Sequence, residues 1–146
     1  MTRSTGLGLV LCLALGGLRA AGFGPVAFTN VHRGPDSQIE SASNVTVRSS
    51  AEWAALWKEH AAGTPAPKVD FNRDMVVGVF LGTRPTGGYA VTITTVETQD
   101  ADLVVTYQEA QPKPGEMLTQ ALTSPVHLVR VPQHKGSVRF VKAPAK

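Results

Sequence analysis

The run Met75-Val76-Val77-Gly78-Val79-Phe80-Leu81 is apolar on both of its alternating faces, so the strand it forms needs cover on both sides. Such a strand belongs at the centre of a sheet, with a second layer on each face. The downstream sequence supplies further strands. Tyr89 to Val96 sends Tyr89, Val91 and Ile93 to one face and mostly threonine and small residues to the other. After a polar turn at Asp100 to Asp102, Leu103-Val104-Val105-Thr106-Tyr107 reads as the next antiparallel strand. Val126 to Val131 and Val138 to Val141 look like a final pair, joined across Pro132 to Gly136. Upstream, Asn44-Val45-Thr46-Val47-Arg48 alternates as a half-buried strand does; the Asn-x-Thr sequon it contains is the weaker reading.

One helix stands among these strands. Ser49 lies three residues before Glu52, the spacing at which each side chain satisfies the other's orphan backbone N–H. Trp53, Leu56, Trp57 and His60 recur at i, i+3, i+4 and i+7 and form one apolar stripe that should clamp onto a sheet, until Gly63 and Pro65 end the helix. No βαβ alternation is present. The expected class is α+β, mostly β: an antiparallel sheet or small barrel or sandwich of five to seven strands, with the amphipathic helix packed on it.

A chain of 146 residues has room for one domain. Residues 1–22 carry Arg3, an apolar run from Leu7 to Leu18 and the small-residue run Ala20-Ala21-Gly22, the order of a secretory signal peptide. The apolar run is shorter than the roughly 20 residues a membrane-spanning helix needs, so no integral span is expected once the signal is cleaved. Cys12, the only cysteine, follows Leu11 inside that run, without the small residue that precedes a lipidated cysteine. Export to a periplasmic, cell-surface or extracellular location is expected. Residues 23–38, rich in Gly, Pro, Asn and Asp, read as a flexible lead-in with one edge strand, and 39–146 as the folded domain. Arg3 and Arg19 fall in the signal; without them twelve basic residues face eleven acidic ones, a net charge of +1 with no basic stripe. That excludes nucleic acid as the main partner.

Two segments stand out as candidate contact surfaces. Gly82-Thr83-Arg84-Pro85-Thr86-Gly87-Gly88-Tyr89 reads as a hairpin between the two strongest strands. Pro85 forces Arg84 into an extended conformation, and Gly87 and Gly88 permit positive φ, so the loop holds a shape and presents backbone groups. Leu118 to His127 mixes polar and apolar residues and leads into the penultimate strand, where it could lie beside the first loop or serve only as a crossover. The residues offer little for catalysis. His32, His60, His127 and His134 lack metal-ligand spacing; Ser124 and His127 point to opposite faces of an extended strand; Asp70 and Asp74 suit a turn and a strand start. No metal, cofactor or catalytic residue is expected.

Trp53-x-x-Leu56-Trp57, Val69-Asp70-Phe71, Met75-Val76-Val77, Pro85-Thr86-Gly87-Gly88-Tyr89 and Thr119 to His127, in that order, resemble the PrcB C-terminal domain family from about Trp53 to Pro132. The family's namesake is an accessory subunit of a surface protease complex. The resemblance implies a non-catalytic domain that assembles, stabilises or regulates an exported protease. On the reading of the two segments, the partner-binding residues are Arg84, Pro85, Thr86, Gly87, Gly88, Tyr89, Thr119, Gln120, Ser124, Pro125 and His127. The Pro85 to Tyr89 turn is also similar to one loop of the chagasin-type cysteine-protease inhibitors, departing from it at Arg84 and Gly87. This makes protease inhibition through Arg84 to Tyr89 an alternative. A second alternative is an envelope module binding glycan or small ligands on Trp53, Trp57, Tyr89 and Tyr107.

Overall fold

The computed structural model describes residues 22–144. In chain order the elements are β1 (Gly24–Pro25), β2 (Thr29–Gly34), β3 (Ser43–Val47), α1 (Ser50–His60), β4 (Asp74–Phe80), β5 (Ala90–Gln99), β6 (Asp102–Ala110), β7 (Val126–Pro132) and β8 (Val138–Lys142). The strands form two four-stranded sheets, ordered β1-β5-β6-β8 and β2-β7-β4-β3. The fold is mostly β with one helix, and the sheets are open rather than closed into a barrel.

β4 lies between β7 and β3, and its two apolar faces serve two cores. Met75, Val77 and Val79, with Leu81 beyond the strand end, meet Val91, Ile93, Val96, Leu103 and Val105 of the opposite sheet. Val76 and Phe80 point the other way, where Val47, Trp53, Trp57, Val126 and Leu128 close a second core beneath α1. Each fully buried valine or larger apolar side chain stabilises the fold by roughly 1.5–3 kcal/mol relative to exposure. The described residues contain no cysteine, so this packing replaces disulfides as the source of stability. Gly78 is required between the cores: a Cβ there would collide with the Leu128 side chain on the neighbouring strand.

Helix α1 forms as its sequence dictates, with one change at its start. The Ser49 hydroxyl accepts from the Glu52 N–H at 3.2 Å, whereas the Glu52 carboxylate reaches one residue further and accepts from the Arg48 N–H at 3.1 Å. Trp53, Trp57 and His60 are buried, and Leu56 is half-buried. The indole N–H of Trp53 donates to Pro67 O at 2.9 Å and that of Trp57 to Thr64 O at 2.8 Å, so the stripe also ties down the segment that follows the helix.

The connections differ from the sequence expectation in two places. β4 and β5 do not form a hairpin: they lie in different sheets, and 81–89 is a crossover between the layers. β7 and β8 are likewise separated, and β8 runs parallel to β6. The physical reason is the demand of β4 for partners on both edges. Those edges are filled by β3 and β7, while β5 takes β6 through the tight turn at Asp100, whose φ is +54°. The strand count rises to eight because the lead-in contributes two. β1 pairs with β5, and β2 forms the edge of the other sheet against β7. The expected signal segment up to residue 21, with Cys12, lies outside the described residues. Among the described residues no helix is long and apolar enough to cross a membrane.

Candidate functional site

The crossover after β4 is fastened along its length to the segment that precedes β7. Arg84 N–H donates to Thr123 O at 2.7 Å, and Thr123 N–H returns a bond to Arg84 O at 3.0 Å. The Thr123 hydroxyl donates to Thr86 O at 2.9 Å, and Gly87 N–H donates to Thr119 O at 2.9 Å. On its other side the second segment is held by the end of β2. Ser124 N–H donates to Pro35 O at 2.7 Å, and Ser37 N–H donates to Ser124 O at 3.1 Å. Three segments far apart in sequence therefore make one small fixed platform.

Gly88 has φ of +87°, and a Cβ there would stand 2.8 Å from Leu118 Cδ2 and 3.0 Å from Pro112 Cγ. Both the left-handed backbone and the close approach call for glycine at this position. Replacing Gly88 with Val is expected to destabilise the domain by about 2–4 kcal/mol, combining backbone strain with overpacking. A urea titration checks this, and a loss below about 0.5 kcal/mol, the ordinary surface value, would contradict it. Tyr89 follows, with the Arg84 guanidinium carbon 5.8 Å from its ring centroid, a cation–π contact across the turn.

The platform borders a groove of about 450 Å³, lined by Arg33, Asp36, Gly87, Tyr89, Leu122 and Thr123 among others. Leu122 is 75% exposed, and Met117, on the same connecting segment, is 98% exposed. Of the two, only Leu122 lines the groove, so it is the apolar side chain that a partner seated there would cover.

Of the residues expected to contact a partner, Pro85, Gly88, Thr119 and Gln120 are exposed, and Arg84, Thr86, Gly87 and Tyr89 are half-buried around the groove. Pro125 and His127 are buried, and this takes them off the surface a partner would touch, while Ser124, 8% exposed, keeps only a small opening beside Asp36. His127 instead fastens the two sheets together. Its Nδ1 accepts from the Ile93 N–H on β5 at 2.8 Å, which places the ring proton on Nε2, and Nε2–H donates to Asn30 Oδ1 on β2 at 3.0 Å. Arg33 acts beside it, donating from Nε to Val91 O at 3.3 Å and from Nη2 to the Thr92 hydroxyl at 2.6 Å. These side chains occupy the edge of β5 that β1 leaves uncovered. Burial, and then the nearby Arg33 charge, lower the His127 pKa from its ordinary 6.5 to about 4.

A second buried histidine lies under the helix. His60 Nδ1 is 2.9 Å from the Ser37 hydroxyl, and its Nε2 has no hydrogen-bond partner among the described residues. Its ring is packed edge-on against His32, Trp57 and Phe80, with centroids 4.8, 5.0 and 5.7 Å away. Burial, and then the neighbouring His32, lower its pKa to about 4. The carboxylates of Asp70 and Asp74 have structural partners: Asp70 accepts from the Asn72 N–H at 3.0 Å, and Asp74 faces Arg130 at 3.6 Å. The burial of both tryptophans removes them as platforms for a ligand.

Sequence reasoning missed the contribution of Arg33 and Asp36 to the groove. The Arg33-Gly34-Pro35-Asp36 run carries turn chemistry, but its pairing with a strand some 90 residues away leaves no local trace.

The comparison with known families reaches this same region. Residues 75–132 match the family described as PrcB C-terminal. The match supports the family resemblance. It runs from β4 to the end of β7 and contains both platform segments from the middle of the chain, while Trp53 to Phe71 lie ahead of it. No curated protein and no solved structure matches the chain. The family described as PrcB C-terminal is of an accessory type.

Proposed function

We propose that this chain is an exported, non-catalytic accessory domain that binds a protein of a protease complex through the groove beside Leu122. The observation that carries the reading is the exposure of Leu122 at the groove, on a segment fastened through Thr119 and Thr123 within the PrcB C-terminal match. A rigid support lowers the ordering cost of binding, and apolar side chains at a groove serve as anchors. The engagement of Arg84 to Gly87 with Thr119 and Thr123 favours a wall of a groove over a loop inserted into a protease cleft. Export rests on the n-region, h-region and small-residue order of residues 1–22.

Affinity purification of the chain from its native envelope is expected to recover a protease or a protein bound to one. Leu122→Asp, at an exposed position, is expected to lower recovery at least tenfold, the effect of an anchor worth roughly 1.4 kcal/mol or more, with no change in the denaturation midpoint. Repeated recovery without any protease, or recovery indifferent to Leu122→Asp, counts against the proposal.

A further inference from the structure

Adjoining the groove is a second depression of about 280 Å³, and its chemistry is different. Both cavities share Pro35, Asp36, Leu122 and Thr123 in their walls, so they adjoin along those residues. The charged residues lining the second depression are Asp36 and Glu40, both acidic, and neither makes an ion pair among the described residues. Ser124 lines it as well. Ser124 is 8% exposed and its hydroxyl has no hydrogen-bond partner among the described residues, yet it is not sealed in the interior as His60 Nε2 is. That hydroxyl opens onto the depression and is left to accept from a donor there.

We infer that the depression takes a lysine or arginine side chain of the partner, next to an apolar side chain seated in the adjoining groove. Two unpaired carboxylates and a hydroxyl acceptor complement an ammonium or guanidinium group, whose donors need acceptors on every side. The recognised unit is therefore a basic side chain beside a leucine, isoleucine or methionine. This inference rests on the groove reading above and specifies the partner's chemistry at the same surface.

The test is selection of a displayed library of random peptides on the full chain. Joint enrichment of Lys or Arg with Leu, Ile or Met is expected. The Asp36→Asn, Glu40→Gln double variant should weaken an enriched peptide roughly 3- to 20-fold at low salt, as two exposed charge pairs would, and should remove most of its salt dependence. Both positions are exposed, so the fold is not at stake. Apolar peptides enriched without a basic bias, and lost with Leu122→Asp, would overturn the inference and leave the groove reading intact. Enrichment of acidic residues, or binding unaffected by both variants, would sink the inference and the groove reading together. A library that enriches nothing also overturns the inference, and the purification experiment then decides the groove reading by itself.

Discussion

Acidification from about pH 7 to pH 4.5 is expected to cost the folded domain on the order of 5 kcal/mol through two histidines alone. His60 and His127 are 1% and 5% exposed and have folded pKa values of about 4. In the unfolded chain each returns to about 6.5. Between those values the unfolded state binds the proton and the native state does not, so stability rises with pH. It is fully present above about pH 6.5, falls as the pH drops, and the loss is complete below about pH 4. Each histidine contributes a slope of roughly 1.4 kcal/mol per pH unit in that window. The structural cause is plain at His127: protonation of Nδ1 destroys the acceptor for the Ile93 N–H and places a cation beside Arg33. Urea midpoints measured across the window check the slope. His127→Asn, whose side-chain oxygen takes the place of Nδ1, should remove about half of the slope; a flat profile in the parent protein would refute the account.

Replacing Trp57 with Ala is expected to destabilise the domain by about 3–5 kcal/mol, the usual range for removing a large aromatic side chain from a core. Trp57 is 6% exposed, packs on His32, Trp53 and His60, and holds Thr64 O by its indole N–H. Trp57→Phe keeps part of the packing and loses the indole bond, so it should cost less. The alanine variant also admits water to His60. Its acid slope should therefore fall, because the burial that lowers the His60 pKa is partly relieved. Denaturant titrations at two pH values separate the two effects, and a loss below about 1 kcal/mol for Trp57→Ala would contradict the clamping role of the helix.

The features legible in the sequence were those with a local cause. The two-faced apolar run at Met75 to Leu81 announced a central strand covered on both sides, and the Trp53, Trp57, His60 stripe announced the helix that covers one of them. The proximity of the Arg84 to Tyr89 and Thr119 to Thr123 segments was open in the sequence and is settled by their backbone bonds. What was illegible was partner choice between strands. A hairpin and an intersheet crossover use the same glycine and proline chemistry, and nothing near Pro85 distinguishes them. His127 looked like a contact residue because a polar group in an apolar strand invites a functional reading; its real partners, Ile93 and Asn30, come from other strands. Arg33 and Asp36 were hidden for the same reason, since their place depends on β2 meeting β7.

The pairing of β2 with β7 also bears on when the domain can form. Thr29 to Gly34 finds its neighbour only in Val126 to Arg130, and β4 needs the same strand on one edge. A chain emerging from its amino terminus can assemble the β5–β6 hairpin early, but the second sheet stays unfinished until nearly the whole polypeptide is free. The groove, built from residues 33–36, 84–89 and 119–123, is among the last features to appear. A chain that has not yet released its last strands would thus present open strand edges and no groove, so the groove serves as a marker of completed folding.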